Sequence, residues 1–112
     1  MIKYVVYLMP DAINDLEDVY GYIADKSGFP ERALGYVEKL RQKCRELGTV
    51  PLRGQQRDDL MHNLRIVPID KKAVAAFVVD EEKRSVLVLN IFYGGRDYEA
   101  LMTITPKGPF KR

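Results

Sequence analysis

Apolar positions along the chain change period several times, and each change predicts an element. Residues 2–8, IKYVVYL, are β-branched and aromatic and stop at Pro10, which predicts a strand. From Pro10 the period becomes helical. Ile13, Leu16, Tyr20 and Ile23, joined by Ala12, Val19 and Ala24, form one broad apolar face, with Asp15, Glu17, Asp18 and Asp25 expected on the opposite, solvated side. Gly28 is expected to close this helix in a left-handed conformation. Pro30 then suits the first position of a second helix, whose apolar face is Ala33, Leu34, Val37, Leu40, Cys44 and Leu47 and which ends at Gly48 before Pro51. So short a link makes the two helices an antiparallel hairpin. Gly21 and Gly35 stand within them, where glycine costs about 1 kcal/mol relative to alanine. A close backbone approach at one of them is the expected compensation, with a Leu there overpacking by about 1–3 kcal/mol.

Residues 51–62, PLRGQQRDDLMH, show no period and read as a loop. Three extended runs follow, Asn63–Ile69, Ala73–Val79 and Ser85–Tyr93, separated by the polar turns Asp70-Lys71-Lys72 and Asp80–Arg84, so they form an antiparallel meander. Pro68 belongs at an edge or a bulge. The order is β-α-α-β-β-β, an α+β fold with a helical hairpin on one face of a small, mainly antiparallel sheet. Strands covered on one face alternate apolar and polar positions, but the last two runs do not. Strict alternation puts Val86, Val88 and Phe92 on one side and Leu87, Leu89, Ile91 and Tyr93 on the other. Two helices cover one face, so an apolar patch is expected on the other, either open to a partner or covered by the 51–62 loop and the C-terminal tail.

Composition narrows the class. The chain has 112 residues, 46% hydrophobic and 30% charged, which suits one domain over 1–112 with a flexible tail over 102–112. No apolar run approaches a membrane span, the start lacks a signal-peptide pattern, and the single cysteine, Cys44, excludes an internal disulfide, so a cytoplasmic location is expected. A net charge of +2 permits nucleic-acid contact without arguing for it.

Several local patterns occur together in one order. They are an initial strand; Ala12-x-x-Asp15-Leu16-x-x-Val19-x-x-Tyr22-Ile23-Ala24; Pro51-x-Arg53-Gly54; Leu64-Arg65 opening a strand; and a last strand running into Gly94-Gly95-Arg96-Asp97. In these the chain resembles the ParE/RelE superfamily of toxins from bacterial type II toxin–antitoxin systems, and its ParE branch, over nearly its whole length. The resemblance implies a small cytoplasmic toxin neutralised by a ParD-like antitoxin in a hetero-oligomer. It implies DNA gyrase as target, with replication blocked and no cofactor, membrane or direct nucleic-acid contact required. RelE-type members instead cleave mRNA on the ribosome. Fold does not choose between these activities, so residues must.

RNA cleavage by the 2′-hydroxyl needs a base, cations for the phosphorane charge and an acid for the leaving oxygen. Superfamily nucleases take these groups from the sheet face and the end of the last strand. Here the candidates are Arg65 and Arg96 as cations and Tyr93 as acid, a thin set. Many ParE relatives have His followed by Gly-Arg-Arg-Asp at the strand exit, whereas this chain has Tyr93-Gly94-Gly95-Arg96-Asp97. The one histidine, His62, falls in the polar loop and reads as surface, and Cys44 reads as core. The expectation is therefore a toxin that acts by binding, through Arg65, Val88, Leu89, Ile91, Tyr93 and Arg96, with ribonuclease activity as the alternative. Gly94 and Gly95 are expected to supply positive φ at the strand exit.

Overall fold

The computed structural model describes residues 3–94, so Arg96, Gly95 and the tail expected at 102–112 lie outside the described residues. The first strand is short, β1 (Val5–Leu8). Two helices follow, α1 (Pro10–Ser27) and α2 (Pro30–Arg45). Each starts with proline, whose missing N–H lies where a helix has no partner for one. The Gly28 N–H donates to the Ala24 carbonyl at 2.9 Å with φ 74°, the left-handed cap expected there. A 3-10 turn, Glu46–Gly48, extends α2 and carries Leu47 into the core.

The chain then lays down β2 (Gln55–Gln56), β3 (Arg65–Asp70), β4 (Ala73–Asp80) and β5 (Ser85–Tyr93). The sheet order is β1-β5-β4-β3-β2, with β1 parallel to β5 and every other pair antiparallel. The two-residue β2 falls inside the expected loop, since a strand of that length shows no period. Pro68 stands beside a register shift between Pro68 and Asp70.

The helix side of the sheet holds the main core. Ala12, Leu16 and Val19 of α1 and Val37, Leu40 and Cys44 of α2 pack on Val67, Ile69, Ala75, Phe77, Val86 and Val88. Burial pushes the Cys44 thiol up to about 11, which suits an inert core residue. Leu34, expected on the apolar face of α2, is exposed instead, and Ile13 and Tyr20 of α1 are partly so. The buried stripe is narrower than the sequence period suggested because each helix shares the sheet with its neighbour.

Gly21 and Gly35 do not mark a close approach. Both are exposed, and a Cβ at either would meet nothing within 4 Å. The expectation of overpacking is therefore corrected, and the sign reverses. Gly21→Ala and Gly35→Ala should each raise stability by about 0.5–1 kcal/mol, read as a higher denaturant midpoint at unchanged slope.

Strict alternation also fails in β5. Phe77 pairs with Val88 but Ala76 pairs with Asn90, so β5 carries one extra residue there, a β-bulge. A bulge flips the parity of everything after it. Ile91 and Tyr93 consequently join Val86 and Val88 on the helix side, while Phe92 joins Leu87 and Leu89 on the far side.

The far side is not an open patch. Leu64, Ile66, Ala76, Leu89 and Phe92 form a second buried cluster, packed by Met9, Leu60, Met61, Val74, Val78 and Leu87. Leu60 and Met61 come from the loop between β2 and β3, which its charges make compact. Arg57 grips Asp59 through two hydrogen bonds of 2.9 and 2.7 Å, and Asp58 accepts the Asn63 N–H at 2.7 Å. The covering role of the loop, rather than an open face, holds for this part of the sheet. Val5 and Tyr7 on β1 remain exposed beside half-buried Leu87.

Candidate functional site

Among the described residues, no strand lies beside the outer edge of β5 beyond Val88, because β1 ends at Leu8. Helix α1 fills that place. Asp15 accepts the Ile91 N–H at 2.8 Å and the Asn90 side-chain amide at 3.2 Å. Asp15 is thus not on the solvated face expected for it. It lies on the line Ala12, Asp15, Val19, Tyr22 at three- and four-residue spacing, and that line borders the buried stripe. Burial raises its carboxyl above the usual range, opposed by the two hydrogen bonds and reinforced by Asp11 and Asp18.

This contact has a testable consequence. Asp15→Ala leaves the Ile91 N–H buried without an acceptor and should cost about 1–3 kcal/mol, whereas Asp15→Asn keeps an oxygen and should cost little. The sign with pH follows from the raised value. The cost of the buried charge is present above the folded carboxyl's pKa and is relieved as pH falls through it. Lowering the pH from neutral toward ~4 should therefore stabilise the wild type relative to Asp15→Asn, checked by urea melts across that range.

The exit of β5 opens into a cleft of about 660 Å³ lined by Asp15, Asp18, Val19, Tyr22, Lys71, Lys72, Ile91, Tyr93 and Gly94. One wall is α1. The other is the β3–β4 turn, whose position is set from α2. The Tyr36 hydroxyl donates to Asp70 at 2.5 Å, and the Lys39 ammonium lies 3.2 Å from the same carboxylate. The Tyr36 bond, aided by Lys39, holds Asp70 down to about 2, while burial and Asp70 push the Tyr36 hydroxyl up. The Gly94 N–H donates to the Lys72 carbonyl at 2.9 Å, with φ 80° at Gly94, the positive φ expected at this exit. Tyr93 lies edge-on between two rings, its centroid 6.0 Å from Tyr22 and 5.7 Å from Tyr36.

The two catalytic candidates among the described residues, Arg65 and Tyr93, are not brought together. Arg65 pairs with Phe77 and Tyr93 with Ala73, so they are two strands and four β4 positions apart, roughly 16 Å by strand geometry. The Arg65 guanidinium donates to the Leu52 carbonyl at 3.0 Å. Val88, Leu89 and Ile91, expected at a partner face, are 0%, 1% and 1% exposed and build the two cores. Of the expected set, Ile91 and Tyr93 among the described residues line the cleft. His62 is exposed, as expected. Asp18, Tyr22, Lys71 and Lys72 went unnoticed as site residues because turn lysines and helix-face acids carry no period of their own. Among the described residues, no group of three or more His, Cys, Asp or Glu side chains could hold a metal ion.

A family model for the ParE toxin of type II toxin–antitoxin systems, parDE, matches residues 6–98. The chain belongs to the ParE toxin family. Among solved structures, a chain from the chromosomal ParDE system of P. aeruginosa superposes with a TM-score of 0.69 at 22% identity, covering 81% of this chain and 96% of that one. A chain of the RelBE2 toxin–antitoxin complex from Mycobacterium tuberculosis gives 0.56 at 18% identity, covering 82% and 99%. A mutant of the E. coli toxin RelE in the free state gives 0.60 at 12%, covering 94% and 98%. The ParE and RelE branches thus share this two-helix, five-stranded fold. No curated protein matches the chain significantly by sequence. Among the described residues, no helix is long and apolar enough to cross a membrane.

Proposed function

We propose that this ParE-family chain is a cytoplasmic toxin that acts by binding DNA gyrase and blocking replication, neutralised by a ParD-like antitoxin in a hetero-oligomer. The observation that supports a binding mode is the separation of Arg65 from Tyr93. A phosphoryl-transfer site needs its cation and its acid on one phosphate, whereas the Arg65 guanidinium is turned to the Leu52 carbonyl and the Tyr93 ring is held between Tyr22 and Tyr36. The match to the parDE model favours gyrase as the target. Tyr93, Arg65 and Arg96 are then contact residues, and no cofactor is required.

One observation serves the other reading. Lys71 and Lys72 share the cleft with Tyr93, so two cations lie near a hydroxyl, as a RelE-like ribosome-dependent endoribonuclease would need. Induction without antitoxin separates the two. The gyrase reading expects a DNA-damage response, filamentation and intact mRNA, with Tyr93→Phe as toxic as the wild type. Rapid mRNA cleavage, lost about 10²–10⁴-fold in Tyr93→Phe while the variant still folds, would establish the ribonuclease instead.

A further inference from the structure

The cleft has a charge pattern that its own fold does not use. Among the described residues, Lys71 and Lys72 have no ion-pair partner, and Lys26 stands over the Tyr22 ring at 5.8 Å. Lys39, by contrast, is paired with Asp70 at 3.2 Å. Two cations, Lys71 and Lys72, thus line a recess together with Tyr22, Tyr93 and Ile91. Asp18 is the exposed acid on the rim, and Asp15 is turned inward to Ile91 and Asn90.

We infer that this cleft docks an acidic segment of a partner protein, laying one aromatic or aliphatic side chain against the packed Tyr22–Tyr93 pair and setting its flanking carboxylates on Lys71 and Lys72. The inference rests on the antitoxin reading and says where and by what chemistry the partner is held. The tyrosines supply amphipathic area at little entropic cost, and the lysines supply steering and register. A nucleic acid fits less well. Asp18 stands exposed on the path of a continuous polyanion, and Tyr22 and Tyr93 pack edge to face at 63° instead of offering parallel faces to successive bases. An acidic peptide can place its few carboxylates away from α1.

The test uses the full chain and three fluorescent probes: a short peptide of Glu residues around a central Phe-Leu pair, its counterpart with Lys for Glu, and a single-stranded RNA of similar length. The acidic peptide should bind, with affinity falling as salt rises. Lys71→Glu/Lys72→Glu should weaken it at least about tenfold, Asp18→Lys should strengthen it, and Lys83→Glu in the β4–β5 turn should leave it unchanged. Thermal melts of all variants should match the wild type, since each changed side chain is exposed. The inference fails if the acidic peptide does not bind, if the lysine peptide binds as well, if Lys71→Glu/Lys72→Glu has no effect, or if RNA binds more tightly through the same residues. A second titration uses the protein encoded beside this one. Its unaltered binding to Lys71→Glu/Lys72→Glu would overturn the cleft and leave the antitoxin reading standing. Its failure to bind a chain that does bind the acidic peptide would overturn the antitoxin reading and leave the cleft.

Discussion

Val88→Asp and Leu89→Asp should both abolish cooperative folding, although their side chains lie on opposite faces of the sheet. Val88 is 0% exposed beneath the helices, and Leu89 is 1% exposed against Leu64, Ile66 and Phe92. A carboxylate at either place loses its hydration and finds no partner, at a cost of several kcal/mol. Total stability for a domain is about 5–15 kcal/mol, so either change removes much or all of it. Differential scanning calorimetry should show no sharp transition for either variant near the wild-type midpoint. A well-folded Leu89→Asp would mean that the far face is open. The sequence alone led to the opposite expectation, that one of these residues faces a partner. The difference lies in Leu60 and Met61, which cover that face from a loop with no hydrophobic period.

Gly48→Ala is expected to cost about 3 kcal/mol, even though it adds one methyl group. A Cβ there would collide with the Tyr4 carbonyl oxygen and lie 3.2 Å from Val6 Cγ2. The same two backbones are joined by the Tyr4 N–H donating to the Gly48 carbonyl at 2.8 Å. Neither side can yield without pulling β1 away from the end of α2, which places the cost at the upper end of overpacking. Thermal denaturation should show a fall of roughly 10 °C. A change within about 1 °C would mean that β1 is not held there. Gly48 read in the sequence only as a helix stop, and the close approach expected of Gly21 or Gly35 occurs here instead.

These cases show what was legible. Both helices, the meander and the Gly28 and Gly94 turns follow from local signals, because period, proline placement and left-handed glycine act over a few residues. The β5 bulge does not. It depends on Ala76 and Phe77 across the strand pair, so Ile91, Phe92 and Tyr93 are each assigned to the wrong face by simple alternation. The cleft was half legible. Tyr93 stood out as a strand end, but Lys71 and Lys72 join it only because Tyr36 and Lys39 of α2 hold Asp70, a contact spanning 34 residues from Tyr36. Asp15 has a readable signal in its spacing from Ala12 and Val19, which the usual solvation of acids on helices outweighs.

Inhibition by binding is tested most directly in two reactions with the purified chain, DNA supercoiling by gyrase and mRNA on translating ribosomes. The account predicts that the chain stops supercoiling, that antitoxin restores it, and that ribosome-bound mRNA stays intact. Undiminished supercoiling together with cut mRNA would contradict it.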